Sequence, residues 1–167
     1  LVLRNPANAI EPDNQPLSWR MSASIGGNPG DTDALSYTAW KTANGILSDT
    51  GDADADGLSN AMEYAMKGNL NGADTALLPT VQIAPFSVLG ITQDYVAVAV
   101  RRQFGADDVA VSVHGTSDLG GNWDANATVL VDIQHHSNGS ETLLFRSVLP
   151  FGSGASQFYR TNLTIQP

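Results

Sequence analysis

The apolar positions change period partway along the chain. From residue 80 onward they gather in short β-branched or aromatic runs at 81–83, 95–100, 109–113, 128–133, 142–146 and 158–165. Clusters of Gly, Asp, Asn and Ser separate several of these runs, at 105–108, 118–122 and 137–140. Short period-two runs divided by turn residues read as half-buried strands, and their spacing predicts antiparallel sheets packed face to face. With no helical stretch between the runs, a doubly wound parallel sheet is not expected.

Before residue 80 the period is helical. Leu35, Tyr37, Ala39, Trp40 and Ala43 predict a helix capped from Asp31, Thr32 or Asp33 and closed by Asn44-Gly45. Leu58, Ala61, Met62, Ala65 and Met66 follow at i, i+3, i+4, i+7 and i+8, a second helical stripe that stops at Gly68. Its methionines read as core packing. Ahead of both, the apolar triplet Leu1, Val2 and Leu3 leads into Pro6, Pro12 and Pro16, which deny helix and any central strand position. Three units are expected: an extended arm over 1–19, a helix-loop-helix unit over 20–79, and a sheet region over 80–167 that shares one core with 20–79.

Between the two helices lies the densest charge of the chain. Asp52, Asp54, Asp56 and Glu63 place four carboxylates in twelve residues of a sequence that is otherwise only 15% charged. Like charges that close repel unless a cation compensates them. The offsets are those of a calcium loop: side chains at positions 1, 3 and 5 (Asp52, Asp54, Asp56), a backbone carbonyl at 7 (Leu58), a side chain or water at 9 (Asn60) and a bidentate carboxylate at 12 (Glu63). Gly57 supplies the sharp turn at position 6. An all-oxygen cage with a bidentate Glu suits Ca2+ better than the smaller Mg2+. The fold class expected is therefore mostly β. It is an antiparallel β-sandwich, immunoglobulin- or fibronectin-like, with a small helix-calcium loop-helix cap and an extended N-terminal arm.

Charge and composition narrow the partners. A net charge of -9 with eight scattered Lys and Arg argues against a basic face for nucleic acid or an anionic membrane. No apolar run reaches the roughly 20 residues that a bilayer-spanning helix needs. The chain has no cysteine, so disulfides, thiolate zinc sites and thiol nucleophiles are excluded. It opens with no basic and apolar leader, the start expected of a mature, secreted protein. Calcium is also found most easily outside the cell, which makes an extracellular or cell-surface location the expectation.

Trp40, the acidic block from Asp52 to Tyr64, Ser117-Asp118-Leu119 with Trp123, and Gln157-Phe158-Tyr159-Arg160 together resemble a C-terminal module of large secreted and surface proteins of planctomycete and verrucomicrobial type bacteria. The acidic block is similar to thrombospondin type 3, dockerin and EF-hand loops. The resemblance covers roughly residues 33–167 and implies an extracellular, non-catalytic β module with bound calcium. Dockerins and calcium sensors use two such loops; the single copy here argues against cohesin docking and calcium-switched signalling.

The chemistry of an enzyme is thin. Of three histidines, His135 and His136 are adjacent in a strand and point to opposite faces, while His114 lacks an obvious Ser or carboxylate partner in sequence. Trp19, Trp123 and Tyr95 are better read as core or corner aromatics than as a sugar-stacking platform. Asn126, Asn138 and Asn162 begin Asn-x-Ser/Thr sequons, acceptor positions for glycans in a cell that attaches them. The function expected is a non-enzymatic, calcium-stabilised structural subunit. It assembles with copies of itself into a fibre or filament when Leu1, Val2 and Leu3 join a neighbour's sheet. The alternative is a surface or carbohydrate-binding accessory module of a larger secreted protein, with polysaccharide as its partner.

Overall fold

The computed structural model describes residues 2–3, 19–23, 26–27, 33–153 and 157–166. The chain is mostly β, with antiparallel sheets and two short helices. Strands β1 (Val2–Leu3) and β2 (Trp19–Arg20) precede helices α1 (Tyr37–Ala43) and α2 (Asn60–Met66). Six longer strands follow: β3 (Thr80–Val88), β4 (Ile91–Gln103), β5 (Val109–Thr116), β6 (Thr128–His136), β7 (Ser140–Ser147) and β8 (Phe158–Ile165). One sheet runs β3-β4-β7-β6 and another pairs β5 with β8. Among the described residues, no helix is long and apolar enough to cross a membrane.

Period-two alternation puts one face of each strand inside. Val98 lies opposite Phe145 and Val100 opposite Leu143, so these four share a face of the larger sheet. They pack with Val113 of β5 and with Leu58, Met66 and Leu77 from the helical half. One cluster thus joins both sheets to the acidic loop's flank, and each such side chain contributes roughly 1.5–3 kcal/mol when fully buried. A second cluster gathers Tyr37, Tyr64, Ala65, Ala106 and Val109. There Asp108, just ahead of β5, accepts from the Tyr37 backbone N–H at 2.6 Å and the Tyr64 hydroxyl at 2.8 Å. One carboxylate thereby fastens both helices to the start of a strand.

The helices begin and end differently from the sequence expectation. Helix α1 starts at Tyr37, capped by Ser36, whose hydroxyl accepts from Ala39 N–H at 3.3 Å. Asp33, expected as a cap, is instead drawn to a buried arginine. Helix α2 is capped by Ser59 and stops at Lys67, which itself takes the left-handed conformation at φ 62°. The first hairpin is also longer than its apolar runs imply. Leu89 and Gly90 turn it with φ of 52° and 81°, and β3 is an edge strand, which is why Pro85 is tolerated there. Val81 and Ile83 lie opposite Val98 and Val96, on the core side of this edge, yet stay 63% and 52% exposed.

The arm is rooted rather than free. Val2 pairs with Arg20 and Leu3 with Trp19 in a two-residue antiparallel ladder; Leu1 lies outside the described residues. The Arg20 side chain is fully buried. Its guanidinium donates to both carboxylate oxygens of Asp107, at 2.7 Å from Nη2 and 2.9 Å from Nε, and to Asp33 at 2.7 Å. Arg20 also holds the Asp33 carboxyl well below the usual carboxylate range, helped by donors from Ser22 and Ala23. Arg20→Met would strand two buried carboxylates, and a loss of about 3–5 kcal/mol is expected in urea unfolding. A loss below about 1 kcal/mol would place the pair among weak surface bridges.

Candidate metal centre

The acidic loop is wound by its own backbone amides. Asp52 accepts from Asp56 N–H at 3.3 Å and Gly57 N–H at 3.0 Å, and Asp56 Oδ1 accepts from Leu58 N–H at 2.8 Å. Two left-handed residues make the coil possible: Gly57 at φ 94°, where glycine is at ease, and Ala55 at φ 59°, where alanine is not. The loop then runs straight into α2. Asn60 and Ala61 donate their first-turn N–H groups to Gly51 and Asp49 carbonyls at 2.7 and 3.0 Å.

The winding brings the carboxylates together. Single oxygens of Asp52, Asp54 and Asp56 lie within 4.8 Å of one another. Glu63, on the first turn of α2, is 3% exposed, and among the described residues neither of its carboxylate oxygens has a hydrogen-bond partner; Asp54 Oδ2 is likewise buried and without one. Burial, and then the negative charges of Asp56, Asp74, Asp54 and Asp52, push the Glu63 carboxyl up to about 7. Leaving an uncompensated charge in such a place costs several kcal/mol. Oxygen-only donors of this number and charge fit a hard divalent cation, and calcium accepts six to eight of them in irregular geometry. Calcium would be held by Asp52, Asp54, Asp56 and Glu63, with the Leu58 carbonyl on the same loop.

Two of the six sequence-derived positions carry further duties. Leu58 sends its side chain, 1% exposed, into the core beside Met66 and Leu77. Asn60 points its amide nitrogen at Ser48 O, 2.8 Å away on the approach to the loop. Gly68, read only as a helix stop, also leaves space for the Glu63 carboxylate. A Cβ there would stand 2.8 Å from Glu63 Cδ and closer still to Oε2.

The remaining candidates fall apart in space. His114 has a serine partner, Ser112 Oγ at 3.0 Å, where no obvious one is seen in sequence. Residues i and i+2 of a strand share a face, so that pair was readable from sequence. His135 approaches the buried Glu141 at 3.4 Å, and His136 bonds Thr142 at 2.8 Å. Tyr95 is buried, with Arg146 over its ring, while Trp123 lies under Arg160. Of the sequon asparagines, Asn126 and Asn138 are exposed and Asn162 is half-buried in β8.

Two outcomes test the centre. In chelator, the folded chain holds the Glu63 proton to about pH 7, whereas an unfolded Glu releases it near about pH 4.3. Between those values the folded state binds more protons, so stability falls as pH rises through the window. Melting temperature without calcium should therefore be higher near pH 5 than near pH 8, and Glu63→Gln should flatten that slope. Gly68→Ala should cost binding of added calcium in calorimetry by displacing Glu63; unchanged binding would mean the carboxylate has room to move. Comparison with family models, with curated proteins and with solved structures returns no match for this chain.

Proposed function

We propose that this chain is a non-enzymatic, calcium-stapled structural subunit of the extracellular space, built on an immunoglobulin- or fibronectin-like sandwich. The observation that carries the calcium reading is the buried Glu63 carboxylate, without a hydrogen-bond partner at either oxygen among the described residues, on the helix leaving a loop whose Asp52, Asp54 and Asp56 oxygens lie within 4.8 Å of one another. A bound cation turns that mutual repulsion into attraction and joins the helical cap to the sheets. The non-enzymatic reading is supported by the surroundings of the Ser112 and His114 pair: their cross-strand neighbours are Asn162 and Arg160, so no carboxylate stands opposite to orient the imidazole.

Assembly is the second half of the proposal: β1 (Val2–Leu3) leaves its short ladder and, with Leu1, joins an open sheet edge of a neighbouring copy. Two features favour it. The ladder within the chain is only two residue pairs long, and β3 offers a nine-residue edge with Val81 and Ile83 uncovered. A head-to-tail addition of this kind propagates instead of closing.

A carbohydrate-binding role draws support from a different place, a cleft lined by Asn122, Asp124, Asn126, Gln157 and Tyr159, whose amides and hydroxyl suit sugar hydroxyls.

Chelation of the intact protein should lower its melting temperature at neutral pH, and Asp54→Ala or Glu63→Ala should remove the chelator's effect. A curve unmoved by chelator would end the calcium reading. Concentrated full-length protein with calcium should form polymers visible by negative stain, and deletion of residues 1–3 should abolish them. A chain that stays monomeric with its arm intact rules out the fibre, and glycan capture unaffected by that deletion would favour the carbohydrate role.

A further inference from the structure

Beyond the twelve-residue loop the chain folds back over the same carboxylates. Gly68 lies against Glu63, and Asp74 donates its backbone N–H to Asp56 Oδ2 at 2.5 Å. Asp74 Oδ2 in turn accepts from Asn69 N–H at 2.5 Å, and Gly72 N–H bonds the Asn69 carbonyl at 3.0 Å, so the turn is pinned at both ends. The other oxygen, Asp74 Oδ1, accepts from no donor among the described residues. From Asp74 the chain enters a 3-10 turn, Thr75–Leu77, whose Leu77 is part of the main core ahead of β3.

A fifth acidic residue is therefore held by its backbone against Asp56, one of the three aspartates whose oxygens lie within 4.8 Å of one another, with its own carboxylate just outside that trio. The hydrogen bonding requires an acceptor at this position but not a charge: an asparagine could accept from Asn69 and donate the same N–H to Asp56. The buried, unpartnered Glu63 oxygens mark that place independently as one built for a cation. After Asp56, the charge of Asp74 is also the one that bears most on Glu63.

We infer that Asp74 is a further ligand of the ion held by Asp52, Asp54, Asp56 and Glu63. This rests on the calcium reading above and extends it: the ion then bridges the loop, α2 and the segment leading into β3. Ligand charge and count set calcium affinity in oxygen cages, so losing one carboxylate should be visible in binding.

The test is calorimetric titration of the full chain with calcium chloride after chelator dialysis. Asp74→Asn preserves an acceptor for Asn69 N–H and removes the charge. It should weaken calcium binding about tenfold or more, with a melting temperature in chelator no lower than the parent's. Equal affinity in parent and variant would overturn the role of Asp74 and leave the calcium site standing. A parent that binds no calcium would sink both. Hydrogen exchange on the unaltered protein gives an answer that needs no variant: calcium should slow the amides of Gly72, Asp74 and Leu77, and exchange there that ignores the ion would overturn the inference.

Discussion

Burying a carboxylate without a donor to meet it is among the more expensive things a small fold can do, and this one does it in the middle of a like-charged cluster. Glu63 sits on a helix whose other inward residues, Tyr64, Ala65 and Met66, are themselves buried. Helix α2 cannot turn Glu63 outward without pulling Met66 out of the main core. The proposed ion resolves this conflict, because a divalent charge converts the most unfavourable spot in the molecule into a point of attachment.

The same economy governs the other buried charges. Arg20 meets Asp33 and Asp107, and Arg102 meets Glu141, with side chains no more than 11% exposed. Each of those cations has its anion within reach. Among the described residues, Asp52, Asp54, Asp56 and Glu63 have no cation paired with them, although Lys67 follows α2 directly; its ammonium goes to the Asn138 carbonyl instead. The asymmetry separates these ion pairs from an acidic triad that could hold a metal ion.

Much of this was legible in the sequence, and the reasons are local. All six long strands announced themselves by alternation, and the loop by its offsets, since both are short-range patterns. What escaped is what depends on partners far along the chain. Nothing near Asp33 tells that it will desert a helix cap for Arg20, or that Asp107 will join it. In β4 the outer residues 91–94 are exposed on both faces, so no buried face enforces an alternation there, although residues 84–88 of β3 opposite them alternate half-buried and exposed. Asp74 lies eleven positions after Glu63 in a stretch of turn residues, outside any spacing rule. The proposed donor role of the arm turns on Leu1, Val2 and Leu3, for which the structure gives only the backbone pairing of Val2 and Leu3.

Asp108 gives the arrangement a dynamic consequence. It grips the head of α1 and the Tyr64 hydroxyl on α2 from the strand side, through bonds that owe nothing to a metal. Emptying the loop would slacken only the span between two helices that remain moored. On the proposed calcium reading, reloading would be a matter of carboxylates closing on an arriving ion with no search for the native topology, so the proposed subunit would pass through calcium-poor water and stiffen again on leaving it.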